Sequence, residues 1–193
     1  MDITELLLKR FAPQKQEIGK FNASSIYGIT HRYTNIEEYL NGKQFSFIEA
    51  FRCWNGTAKH NQIQELFEGL EEYEIEKRAE YKYKDFVVVG KADLLTKDQI
   101  IEIKTSQDLM SEAKPWALYQ CKIYCSLFDR TKGIIVQPII KGSSIELKEL
   151  GVVEKDDKFF QKELVKLENF HKQVLEYVKE KENKKTKTDK ESR

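Results

Sequence analysis

Two neighbouring runs, DFVVVGKADLL (residues 85–95) and QIIEIK (residues 99–104), constrain the fold more than any other part of this chain. Both are rich in Val, Ile and Leu, as β-strands are, and a short polar break at Lys97-Asp98 separates them. A hairpin turning there sets Asp93 opposite Glu102. Alternation along the strand then puts Glu102 and Lys104 on one face. Directly opposed Cβ atoms lie about 5 Å apart, so two carboxylates and an ammonium share one small space. Ile100, Ile101 and Ile103 cover both faces of the second run, which predicts a strand buried on both sides.

Unpartnered carboxylates in that setting are costly, and two so close repel until a proton or a cation comes between them. A divalent metal meets the need, and hard oxygen ligands favour Mg²⁺ or Mn²⁺. Such an ion lowers the pKa of a bound water, and a lysine two residues from the Glu is placed to orient that water or to steady charge on a phosphate. This is equipment for phosphodiester hydrolysis. The alternative is a solvated strand face of alternating charge, and the apolar setting of both runs weighs against it.

The flanking sequence supplies helices. Ser24 or Ser25 is the expected cap of a helix in FNASSIYGIT, and TNIEEYL predicts a short one from Asn35 to Leu40. Ser46 and Glu49 form a capping box ahead of Phe47, Ile48, Phe51, Trp54, Ala58, Ile63, Leu66 and Phe67, which recur at near-helical spacing. Gly56 interrupts that run and Gly69 ends it. From Tyr73 to Lys104 the texture is β-rich, and Pro115 opens a helix in PWALYQCKIYCSLF. GIIVQPII and SIELKELGV read as two more strands. A long amphipathic helix follows from Lys155 to Lys179, with Phe160, Leu164, Leu167, Phe170, Val174 and Tyr177 on its stripe. The last segment, residues 179–193, has seven Lys/Arg against four acids and no apolar residue, so a solvated, disordered tail is expected after a single domain over 1–178. The expected class is α/β, with a central mixed β-sheet flanked by helices.

Composition excludes some functions. No apolar run approaches the ~20 residues of a membrane span, and MDITELLLKRFAPQ carries acids at Asp2 and Glu5, against a secretory leader or transit peptide. A cytoplasmic location is expected, with no membrane partner. The three cysteines, Cys53, Cys121 and Cys125, contain no CxxC and are too few for a four-cysteine zinc or iron–sulfur site. A net charge of +1 gives no global signal for nucleic acid, although an enzyme can concentrate positive charge in one cleft.

Asp93 with Glu102-Ile103-Lys104 resembles the signature of the PD-(D/E)xK nuclease superfamily, and its RecB-like exonuclease branch in particular. Ala92 stands where the signature has Pro, but Gly90 fits the Gly-x-x-Asp form of the branch. Gly56-Thr57-Ala58-Lys59-His60 matches the upstream G-x-x-x-H, and Gln120-Cys121-Lys122-Ile123-Tyr124 matches the downstream Q-x-x-x-Y. Order and spacing agree over residues 47 to 140. The resemblance implies a restriction-endonuclease-like core and a metal site of His60, Asp93, Glu102 and the Ile103 carbonyl. Asp93, Glu102 and Lys104 are then the catalytic set.

Gln120 and Tyr124, one turn apart on one helix face, either contact DNA or form a polar pair packed on the sheet. Glu80 matches a Glu of the branch or is a structural ion pair, and Thr105 and Ser106 contact phosphate or merely end a strand. Trp54 and Trp116 are read as core or rim residues, and His31 and His171 as surface ones. The activity implied is a Mg²⁺- or Mn²⁺-dependent deoxyribonuclease, an exonuclease of recombination, repair or phage genome processing in a bacterial or phage-infected cell. Its partners are single-stranded DNA or duplex ends, with a recombination or replication protein beside them. CRISPR-associated relatives in the branch carry an iron–sulfur cluster on four cysteines, and none is expected here. The rival readings are a non-catalytic nucleic-acid-binding subunit on the same fold, and a structure- or site-specific endonuclease.

Overall fold

The computed structural model describes residues 2–106, 108–141 and 144–191, with backbone alone at 140 and 185–191. In chain order the elements are α1 (Ile3–Arg10), β1 (Lys20–Asn22), α2 (Ala23–Thr30), α3 (Ile36–Asn41), α4 (Phe47–Glu65), β2 (Glu74–Ile75) and β3 (Arg78–Tyr83). They continue with β4 (Phe86–Lys91), β5 (Leu94–Leu95), β6 (Gln99–Ile103), α5 (Pro115–Leu127), β7 (Lys132–Lys141), β8 (Ser144–Glu154) and α6 (Asp157–Glu191). The class is α/β with a mixed sheet flanked by helices, as the sequence predicts.

The strands form a three-stranded segment, β1-β4-β3, and a five-stranded one, β2-β5-β6-β7-β8. These are two halves of one bent sheet. The β3–β4 register runs from Tyr83↔Phe86 to Arg78↔Lys91, and the β2–β5 register continues it without a slip through Ile75↔Leu94 and Glu74↔Leu95. Two hydrogen bonds bridge the break, Ala92 N–H to Lys77 C=O at 2.9 Å and Glu76 N–H to Asp93 C=O at 3.1 Å. Glu76 takes a φ of +52° there, left-handed backbone that a side chain adopts only under constraint. The bend lies beside Asp93.

The expected hairpin forms. Leu94 pairs with Ile101 and Leu95 with Ile100, and Thr96 N–H donates to Gln99 C=O at 2.9 Å across the Lys97-Asp98 turn. On one side of the sheet the core gathers Ile100 and Leu95 with Ile26 of α2, Ile123 and Tyr124 of α5, and Leu164 and Leu167 of α6. On the other, Ile63 of α4 packs on Leu94, Ile103 and Val136. Helix α5 joins parallel strands β6 and β7 and lies close against the sheet. A Cβ at Gly133 would come within 2.4 Å of Cys121 Sγ, and one at Gly90 within 2.7 Å of Tyr124 Cε1.

The structure corrects several expectations. Asn22, not Ser24 or Ser25, stands at the N-cap position of α2, without a side-chain cap bond, and Ser25 Oγ donates back to Asn22 C=O at 2.8 Å. Helix α1 and strand β1 have no counterpart in the sequence reading, being short and weakly patterned. The apolar residues of α4 do not all face inward: Phe47, Ile48, Phe51 and Trp54 lie on the surface, while Ala50, Ile63 and Gln64 are buried. His171 is not a surface residue; it is buried beside Phe21 and Phe86 because α6 presents it to the same core as Val174. Helix α6 continues past Lys179 to Glu191, with Lys181 held to Glu37 at 3.0 Å, and residues 192–193 lie outside the described residues. No helix among the described residues is long and apolar enough to cross a membrane.

Candidate active site

Asp93 stands at the bend, two residues past β4, and its setting follows from the two strands it joins. Its carbonyl accepts from Glu76 N–H on one side and from Gln64 Nε2 of α4, at 3.0 Å, on the other. Its Oδ2 accepts from the Ile103 N–H at 2.8 Å, which ties the side chain to β6. Its Oδ1 lies 3.3 Å from His60 Nε2. His60 and Gln64 are one turn apart on α4, so a single helix face grips both the side chain and the backbone of Asp93. Thr105 Oγ1 adds a third tie to α4 by donating to Gly56 C=O at 3.1 Å.

Glu102, the residue opposite Asp93 in register, points toward α5 and is 1% exposed. Its Oε2 accepts from Lys104 Nζ at 3.0 Å, while its Oε1 is buried with no hydrogen-bond partner among the described residues. Lys104 Nζ also donates to Gln120 Oε1 at 3.3 Å and lies 5.2 Å from the centre of the Trp116 ring. Gln120 Nε2 in turn donates to the Tyr124 hydroxyl at 3.0 Å. The Q-x-x-x-Y pair therefore holds the lysine from behind rather than standing apart from it.

Burial and the nearby Asp93 charge push the Glu102 carboxyl up to about 7. Burial pulls the His60 imidazole down, but the hydrogen bond and charge of Asp93 outweigh it and leave the pKa raised. Burial and the Glu102 charge raise the Tyr124 phenol, which stays protonated. The site thus disfavours a second negative charge beside Asp93, and the Glu102 carboxyl holds its proton toward neutral pH.

His60, Asp93, Glu102, Ile103, Lys104, Gln120 and Tyr124 all line one cleft of about 520 Å³. Every residue singled out from the sequence as catalytic, metal-ligating or DNA-binding is in it. Among the described residues no three His, Cys, Asp or Glu side chains converge closely enough to hold a metal as they stand. His60 is turned to Asp93 and Lys104 to Glu102 instead. Sequence reasoning missed the opposite wall, where Lys20, Asn22, Ser24, Arg78 and Lys91 face the acids. Arg78 has no ion-pair or hydrogen-bond partner among the described residues. Only pairing β1 and β3 with β4 places these side chains here, and no local motif announces it. Gln64 was legible in principle, one turn from His60. Glu80 lines the same cleft. Trp54 and Trp116 are 41% and 45% exposed, rim rather than core.

No protein-family model matches the chain, and no curated protein matches it in sequence. Solved structures do match in shape. An alkaline exonuclease (LHK-Exo) from Laribacter hongkongensis superposes with a TM-score of 0.62 at 14% identity, over 95% of this chain and 99% of that one. The same enzyme in complex with dAMP gives 0.64 over 89% and 95%. A phage-related exonuclease from Haemophilus somnus gives 0.52 at 16% identity over 83% and 96%. At these identities the likeness is one of fold: this chain is built on the same architecture as the exonucleases it superposes on.

Proposed function

We propose that the chain is a divalent-metal-dependent nuclease acting on DNA, an exonuclease of the RecB-like kind. The observation that carries the reading is one cleft holding His60, Asp93, Glu102 and Lys104 at a sheet bend, with Glu102 Oε1 buried and unpartnered among the described residues. A buried carboxylate oxygen without a donor is costly to keep, and a cation is the partner its charge asks for. The donor set, two carboxylates with an imidazole and the Ile103 carbonyl, suits Mg²⁺ or Mn²⁺. When bound, such an ion neutralises the acids and lowers the pKa of its water.

The protein's own groups supply the rest. Asp93 is pre-set by the Ile103 N–H, so its Oδ1 faces His60 and the cleft. Lys104, held by Gln120 and by the Trp116 ring, presents an ammonium to a phosphate oxygen as charge grows on it. Lys20, Ser24 and Arg78 line the facing wall, where a nucleic-acid backbone passing over the acids meets cations and a hydroxyl. The exonuclease names of the structural neighbours favour digestion from an end over cutting at an internal site.

A second reading, a binding subunit without catalysis, is favoured by one observation: His60 pairs with Asp93, and Lys104 with one oxygen of Glu102, without a metal. Incubating the protein with labelled linear and circular DNA, with and without Mn²⁺, decides between them. Mn²⁺-dependent loss of linear DNA alone, abolished by Asp93→Ala, is the expected result. Binding without cleavage under any metal supports the second reading.

A further inference from the structure

A second cavity of about 390 Å³ lies along α4 from the acidic cleft, and none of Asp93, Glu102 and Lys104 lines it. Its wall is α4, which brings Arg52, Asn55, Gly56 and Lys59 to one face at spacings of three and four. Its floor is the chain leaving β6, Thr105 and Ser106, with Asp108 at the rim. Thr105 is shared with the region around His60 and Asp93, so the two sites are continuous.

Three observations point to an anion. The Arg52 and Lys59 side chains are both exposed and have no ion-pair or hydrogen-bond partner among the described residues, in a chain where many lysines are paired. Ser106 Oγ accepts from the Asp108 N–H at 3.3 Å, which leaves its own proton free to donate into the cavity. Thr105 has no such freedom, because its hydroxyl already donates to Gly56. Gly56 is the third. A glycine inside a helix is unfavourable, yet a Cβ there would meet nothing nearer than Thr105 Oγ1 at 3.4 Å, an ordinary contact. Packing does not require the glycine, and its missing side chain leaves the helix backbone open toward the cavity.

We propose that Arg52, Lys59, Ser106 and the Asn55 amide bind one phosphate of the nucleic-acid strand that crosses the acidic cleft. This rests on the nuclease reading above. The charge selects the form of phosphate. Two cations less the Asp108 carboxylate leave one net positive charge, which matches the single charge of an internal phosphodiester rather than the near-double charge of a terminal phosphomonoester. The subsite thus holds the strand beyond the cleavage point and is indifferent to what ends the strand.

The test is equilibrium binding of fluorescent single-stranded and duplex oligonucleotides to the full chain in EDTA, over a range of salt. Each probe is made with and without a terminal phosphate. Arg52→Gln with Lys59→Gln is expected to weaken binding about tenfold and to lower the slope of log Kd against log salt by about one, equally on all end chemistries. The charge-keeping exchange Arg52→Lys with Lys59→Arg retains most of the affinity, and Asp108→Asn increases it. Gly56→Ala weakens binding while raising the melting temperature. Loss confined to phosphorylated ends overturns the diester assignment. Unchanged affinity and slope in the double variant, with the wild type binding well, overturn the subsite and leave the nuclease reading standing. A wild type that binds no probe, in EDTA or with Ca²⁺ in its place, overturns both.

Discussion

At the scale of single residues, the site is a set of charges that hold one another in place. Lys104 touches Glu102 and Gln120 and stacks beside Trp116, so its ammonium is aimed before any substrate arrives. Lys104→Ala is expected to lower the cleavage rate by about a hundredfold or more while leaving the Kd for DNA nearly unchanged, because one lysine contributes little to a many-contact interface. Equal losses in both quantities contradict that role. The carboxylate beside it makes a prediction about stability. An unfolded glutamate titrates near 4.3, whereas folded Glu102 is pushed up to about 7. Between those values the folded chain keeps a proton that the unfolded chain has released. Its stability therefore falls as pH rises through that window, and the raised His60 acts with the same sign. Urea titrations in EDTA should show a midpoint lower at pH 8 than at pH 6 by the equivalent of about 1–2 kcal/mol, and Glu102→Gln should remove most of the difference.

At the scale of elements, the site exists because a hairpin, a bend and two helices meet. The hairpin was legible: apolar runs on either side of Lys97-Asp98 specify the register that opposes Asp93 and Glu102, since a slip of one residue would turn a buried face outward. The two flanking helices were legible from Ser46 with Glu49 and from Pro115, and the capping box of α4 and the first-turn proline of α5 are both present. The bend was not. It depends on Glu76 in left-handed backbone, and a glutamate carries no signal for that conformation. Nor was the exposed face of α4 legible, because periodicity reports that a helix has an apolar stripe and not whether anything covers it. Gly90 shows how tightly the elements are fitted. A Cβ there would lie 2.5 Å from Leu127 Cδ2 and 2.7 Å from Tyr124 Cε1. Gly90→Ala should cost about 1–3 kcal/mol in urea unfolding. It should also lower the cleavage rate, since Tyr124 supports Gln120 and, through it, Lys104. An alanine tolerated without loss of either would show that α5 can shift freely on the sheet.

At the scale of the whole molecule, the cleft lies on the seam between two cores. Ala92 and Leu95 belong to the core under α5, and Leu94 to the core under α4. Regular alternation would send Ala92 and Leu94 to the same side. The bend sends them to opposite sides, with Asp93 between them, and this lets a helix from each core reach the same carboxylates. His60 comes from the α4 side, Gln120 and Tyr124 from the α5 side, and Lys20 and Arg78 from the strands beyond the bend. A sequence motif can name the first three of these because they sit on two helices at fixed spacings. It cannot name the cations, whose positions depend on strand pairings made far away in the chain.

The central claim is that this seam holds a divalent cation between His60, Asp93 and Glu102. Diffraction at the manganese absorption edge from crystals grown with millimolar Mn²⁺ tests it most directly. The account predicts an anomalous peak bounded by His60 Nε2, Asp93 Oδ1 and the Glu102 carboxylate, with His60 and Lys104 drawn away from their present partners. Crystals without that peak, with His60 still on Asp93 and Lys104 still on Glu102, would contradict it.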